Sequence, residues 1–166
     1  ILDAVFHPLL LQSAFDQEAW RYEMDGPDQA LRYSGVIYNE MRGRATSPAD
    51  VLLDRVVREL FVGNTYHHSH GGRPESITSL TLDHVRGFHQ RFYQPSNAMI
   101  YFSGRDDPAA RLRSLAAVLD PLPAGNANAV VEVHPPFPEP RRARGRYATS
   151  AAAEPLPMIS VGWALP

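Results

Sequence analysis

The stretch from Ser47 to Phe61 sets the tightest limit on how this chain can fold. Leu52, Leu53, Val56, Val57, Leu60 and Phe61 recur at three- and four-residue intervals, which gathers them on one face of a helix. Pro48 stands at the first helical position, where the missing amide costs no hydrogen bond. Gly63-Asn64 supplies a stop. A face this apolar needs a core to pack against, and the 44% hydrophobic and 20% charged composition is that of a globular protein able to build one.

Other elements group around this helix. Ile1, Leu2, Val5, Phe6 and Leu9 have helical spacing, with Pro8 weakening it near the end. Ser13 and Asp16 form an approximate capping signature for a short helix through Trp20 and Tyr22. Asp25-Gly-Pro-Asp28 is a turn. Leu31–Ile37 alternates loosely and leads into Glu40, expected on a helix of one or two turns. After the polar loop Thr65–Pro74, Thr81 opens a helix with Leu82, Val85, Phe88 and Phe92 expected inward. Pro95-Ser-Asn97 turns the chain into an expected strand, Ala98–Phe102. Asp107-Pro108 caps a further helix bearing Leu112, Leu115, Val118 and Leu119. Residues 121–140 are rich in proline and read as a linker or extended surface crossing. The segment Met158–Leu165 reads as a buried strand. The pattern is α+β.

The net charge of −2 gives no electrostatic reason to expect nucleic acid or an anionic membrane as partner. The absence of cysteine leaves only His, Asp or Glu as metal donors. No apolar run approaches the roughly 20 residues of a membrane helix. The chain opens as a helix already under way and closes on an apolar strand, so it is expected to be an internal fragment.

Few residues could carry chemistry. A catalytic zinc takes three protein ligands and an open position, and two His with one Glu is a standard set. Glu40 fits as one such carboxylate, although an isolated helical glutamate is by default a solvated one. His67, His68 and His70 form the other cluster. On an extended chain only His68 and His70 share a face, and no acidic residue lies within four positions to orient them. His84 and His89, about 140° apart on a helix, cannot hold one ion together. Tyr38 and Asn39, flanking Glu40, could line a cleft, and Tyr38 could equally be core. The arginines of 141–146 beside a proline-rich stretch read as a solvated linker.

Gly35-Val-Ile-Tyr-Asn-Glu-Met-Arg-Gly43 resembles the Gly-Val-Val-Tyr/Phe-Asn-Glu-Met-Lys-Gly signature of presequence peptidases, a branch of the pitrilysin-type (inverted zincin) metallopeptidase family. Leu2-Asp-Ala-Val-Phe-His-Pro8, Phe15 through Trp20-Arg-Tyr-Glu23, Gly71-Gly-Arg-Pro74, Phe88-His89 and Tyr93-Gln-Pro-Ser-Asn-Ala98 are similar to flanking motifs of that family in the same order. The resemblance implies a zinc peptidase that encloses unfolded peptides. Two histidines of a His-x-x-Glu-His helix and a distal Glu would hold Zn2+, the distal Glu being Glu40. None of the seven histidines stands in such a motif. The general base and two ligands are therefore expected outside this chain, which alone should not cleave peptides.

The implied fold is part of a pitrilysin/mitochondrial-processing-peptidase-like α/β sandwich, an antiparallel sheet packed with helices. Residues 1–122 would be the latter part of a first metallopeptidase domain, 123–140 a Pro-rich linker, and 141–166 the start of a second, homologous domain. Expected partners are peptide substrates and the rest of the same polypeptide or a complementary chain, with no nucleic acid and no membrane. A non-catalytic binding or scaffold subunit, or half of a split peptidase, are the alternatives.

Overall fold

The computed structural model describes residues 1–126, 129–133, 137–148 and 156–163. The elements are α1 (Leu2–Phe6), α2 (Gln12–Glu18), β1 (Arg21–Glu23), β2 (Arg32–Ser34), α3 (Val36–Thr46), α4 (Pro48–Leu60), α5 (Pro74–Ile77), α6 (Leu82–Phe92) and α7 (Pro108–Leu119), with single 3₁₀ turns at Thr65–His67 and Pro95–Asn97. This is a helix-rich α+β chain with a two-stranded antiparallel sheet. It divides into two compact units. One joins Ile1–Gln12 to Leu80–Val130, the other Ser13–Ser79 to the described part of Val131–Pro166.

In the second unit the hairpin register is Arg21↔Ser34, Tyr22↔Tyr33 and Glu23↔Arg32, closed by a turn in which the Gln29 amide donates to the Gly26 carbonyl. The helix α2 stops at Glu18, so Trp20 and Tyr22 leave the expected helix and Tyr22 enters β1. Gly35 then passes the chain directly from β2 into α3. That helix has 11 residues rather than one or two turns, because its inward residue Met41 finds a seat in the core.

The helix α4 begins where the sequence placed it. The Ser47 hydroxyl accepts from the Asp50 amide at 3.4 Å. Its apolar face is only half covered, and Leu53 is exposed. Ion pairs Arg58–Asp54 and Arg55–Glu59 line the polar side one turn apart. The segment after residue 130 lies along this helix. The Asn64 amide donates to the Glu132 carbonyl, and Gly162 packs near Leu60 and Val56.

In the first unit α6 is opened by a capping box. The Thr81 hydroxyl accepts from the His84 amide, and His84 Nδ1 accepts from the Thr81 amide, both at 3.2 Å. The α1 segment ends before His7-Pro8, since the residue before proline is disfavoured in helical conformation. The Arg86 guanidinium donates to the Leu10 carbonyl at 3.0 Å, and His89 Nε2 donates to the Val5 carbonyl at 2.8 Å. Asp107 caps α7 through the amides of Ala109 and Ala110. Leu82 is buried, but Phe88 is 59% exposed rather than inward, its ring against Phe92.

Two expected strands are not formed among the described residues. Ala98–Phe102 and the described part of Met158–Leu165 have no strand partner there. A strand needs a neighbour's amides and carbonyls to complete it, and Met99, Tyr101, Ile159 and Trp163 stay exposed instead of buried. Ala164 and Leu165 lie outside the described residues. No described helix is long and apolar enough to cross a membrane.

The cap at α4 makes a direct prediction. Ser47→Ala should lower the unfolding free energy of the chain by about 1 kcal/mol, read as a shifted urea midpoint with unchanged slope. Ser47→Asp should keep the parental midpoint.

Candidate functional site

The site is built from α3 outward. Gly35 enters the helix at φ 153° and ψ 154°, a region essentially confined to glycine. A Cβ there would collide with the Ala19 carbonyl and lie 2.8 Å from Trp20 Cα. This close approach lets the Tyr38 amide donate to the Ala19 carbonyl at 3.3 Å, which fixes the start of α3 against the end of the preceding segment. Three residues beyond Tyr38, Met41 is 6% exposed. A Cβ on Gly71, at φ +91°, would sit 2.6 Å from its sulfur, and one on Gly72 would press on buried Ile77. The helix is thus held at its first turn by Gly35 and at its middle by the Gly71-Gly72 turn.

Glu40 projects from this twice-anchored helix. It is exposed, and among the described residues its carboxylate has no hydrogen-bond or ion-pair partner. Asn39 is exposed beside it, and Tyr38 is half-buried. The Tyr38 ring lies 5.8 Å from that of Tyr33, so Tyr38 is packed on the hairpin rather than enclosed in the core.

That contact belongs to a cluster. The Tyr22 and Tyr33 rings are 5.2 Å apart across the strands, and Trp20 stands nearly edge-on to both at 5.6 and 5.8 Å. A hydrogen bond with Tyr22 holds the Tyr33 phenol above its ordinary pKa. Charges gather on the opposite side of the hairpin. Arg21 donates to Glu23 at 2.7 Å, while Arg32 reaches Asp25 through both Nε and Nη2 and Glu23 at 2.9 Å. The hydrogen bond from Arg21, followed by one from Ser34, holds the Glu23 carboxyl below its ordinary pKa. The Arg32 fork does the same for Asp25.

The histidines are scattered in function. His67 Nδ1 is 3.2 Å from the Arg58 carbonyl, and its ring meets His68 edge-on at 5.7 Å. His89 stacks on Tyr93 at 4.7 Å besides holding Val5. Among the described residues no group of three His, Asp or Glu side chains could hold a metal ion. By donor chemistry Glu40 fits a zinc ion as a single ligand, and the described residues complete no set around it.

Two features escaped the sequence reading. Arg141 is not simply solvated. It donates to the Glu59 carboxylate at 2.8 Å and carbonyl at 2.9 Å, with its guanidinium over the Phe137 ring. The seat of Met41 under Gly71 joins segments thirty residues apart. The positive φ demanded of both glycines was the available signal, but nothing local names the partner.

Residues 79–166 match the sequence model of the family described as "Peptidase M16 inactive domain". Over 171 aligned residues the chain is 37% identical to "Presequence protease 1, chloroplastic/mitochondrial" of Arabidopsis thaliana, covering 99% of this chain and 16% of the relative. It is 35% identical over 113 residues to "Protein HypA" of Clostridium perfringens, covering 67% of this chain and 12% of that one. It is 38% identical over 117 residues to "Presequence protease, mitochondrial" of Drosophila melanogaster, covering 69% and 11%. The chain therefore spans 16% or less of the length of these relatives.

Two outcomes follow from the geometry. Gly35→Ala should destabilise the chain by at least about 2 kcal/mol, combining backbone strain with a clash against main-chain atoms that cannot rotate away; denaturant titration reads it. The hairpin should also respond to acid. Glu23 and Asp25 have depressed pKa values in the folded chain. Their contribution is thus complete above the ordinary carboxylate range and lost as pH falls through the folded values. Near-ultraviolet circular dichroism from Trp20, Tyr22 and Tyr33 should change below the ordinary carboxylate range, and Glu23→Gln should remove part of that change.

Proposed function

Because the chain belongs to the pitrilysin-type peptidase family, in its presequence peptidase branch, we propose that Glu40 is the third zinc ligand of an oligopeptide-degrading metalloendopeptidase. The observation that carries this reading is the state of Glu40 itself. An exposed carboxylate without a partner sits on a helix clamped at Gly35 and at Met41. A metal ligand gains from such a mounting, since a fixed backbone limits the freedom lost on coordination. Zn2+, when bound, would act as a Lewis acid and activate water. The other two ligands and the general base would come from the rest of the same polypeptide or from a complementary chain, and the substrates would be peptides. Tyr38 and Asn39 would border the cleft.

On the same reading the helices and the antiparallel hairpin belong to an α/β sandwich. Ala98–Phe102 and the segment from Met158 would pair with strands of the complete sheets. Residues 1–122 then form the latter part of the first metallopeptidase domain, 123–140 the linker, and 141–166 the start of the second domain. A second reading, a non-catalytic binding or scaffold subunit, draws support from the description of the matched family model as an inactive domain.

The deciding experiment compares the full-length protein with its Glu40→Gln variant by metal analysis and by cleavage of an unstructured peptide. Loss of zinc together with at least about a 100-fold fall in kcat/KM supports the ligand assignment. A variant that keeps both overturns it. A full-length parent with neither zinc nor cleavage identifies the scaffold reading instead.

A further inference from the structure

We propose that the extended segment 141–148 binds an acidic stretch of peptide through three outward guanidinium groups, those of Arg142, Arg144 and Arg146. The peptide as occupant rests on the reading of the chain as part of a peptidase; the preference for carboxylates rests on the segment itself.

Residues 141–148 form neither helix, turn nor bend, so the chain there is extended and side chains at alternate positions share a side. The odd positions turn toward neighbouring segments. Arg141 donates to the Glu59 carbonyl and carboxylate with its guanidinium over the Phe137 ring. Half-buried Tyr147 donates its hydroxyl to the Leu156 carbonyl. Between them stand the small residues Ala143 and Gly145. The even positions are Arg142, Arg144 and Arg146, all exposed. Among the described residues none of these three has an ion-pair or hydrogen-bond partner, whereas Arg141 is paired with Glu59.

The result is a row of three cations on a segment tied at both ends, repeating about every 6.6 Å. Alternate side chains of an extended peptide repeat at the same interval. Each guanidinium can take a carboxylate through two parallel N–H···O bonds, and the tied ends reduce the freedom lost on binding. Residues 137–148 carry four guanidinium groups against one carboxylate, Glu139, a net +3 in a chain of −2 overall. That contrast favours a short acidic peptide over nucleic acid. The peptide feels chiefly the charge within about 10 Å, while a long polyanion would also meet the negative remainder of the chain. The outward side offers no ring for base stacking, because Tyr147 is held on the other side.

The test uses full-length protein carrying Glu40→Gln and stripped of metal with EDTA, so that peptide is not consumed and binding does not depend on the zinc assignment. The probes are two fluorescein-labelled dodecapeptides, one with three glutamates at alternate central positions and one with glutamine in their place, and a labelled oligothymidylate of equal length. Anisotropy at low ionic strength should show tighter binding of the glutamate peptide than of either other probe. Arg142→Gln, Arg144→Gln and Arg146→Gln combined should weaken it about three- to tenfold and leave the glutamine peptide unchanged. The corresponding triple Lys variant should keep part of the preference, since it retains the charge without the fork. If the triple Gln variant fails to fold, Arg144→Gln alone gives the same readout at smaller size. Equal affinity for the two peptides, or equal loss of both in the Gln variant, overturns the site. Tighter binding of the oligothymidylate that the triple Gln variant abolishes overturns the peptide as occupant in favour of nucleic acid. If the glutamate preference holds while the unmutated, metal-replete protein cleaves neither peptide, the site stands and the zinc reading fails.

Discussion

The seat of Met41 under the Gly71-Gly72 turn is the contact on which the unit around Ser13–Ser79 depends. Full burial is scarce there: among the described residues Met41, Ile77, Ser34 and Gly35 are the buried positions of that unit. Burying a methionine side chain stabilises by about 1.5–3 kcal/mol, and here one side chain joins α3 to the turn that leads into α5. Ser34 lies at the end of β2, next to Gly35, so the remaining buried positions form the other clamp on the same helix. Elsewhere the apolar faces are half covered, and α4 packs on α3, on the 3₁₀ turn at Thr65–His67 and on the segment after residue 130.

Much of the helical framework was legible because its signals are local. Ser47-Pro48, Thr81 and Asp107-Pro108 each mark a helix start by supplying an acceptor to orphan amides. These contacts span two or three residues, so the sequence itself contains both partners. Strands are another matter. Ala98–Phe102 and the segment from Met158 have the composition of strands, but a strand is completed by a neighbour's backbone, and the described residues hold none for either. The length of α3 was also hidden. Gly43 inside it lowers its helix propensity, and burial of Met41 outweighs that.

The candidate site divides in the same way. Glu40 itself was visible only through resemblance, because no spacing rule separates a ligand glutamate from a solvated one. Gly35 was part of the quoted signature, and the structure supplies its reason in the main chain of Ala19 and Trp20. The aromatic face needed the hairpin register before Trp20, Tyr22, Tyr33 and Tyr38 could be seen as one surface. Arg141 was read with its neighbours as a charge run. It became individual only when the fold brought Glu59, 82 positions away, to its guanidinium.

The contact between positions 41 and 71 also constrains how the two may change together. A shorter side chain at 41 would open room for a Cβ at 71, yet the backbone there would still sit at φ +91°. A branched residue at 41 would crowd the turn without altering what the turn requires. Covariation between these sites should therefore be one-sided. Position 41 can drift among flexible apolar residues while 71 stays glycine, so a statistical search for paired substitutions would overlook the contact that holds the helix in place.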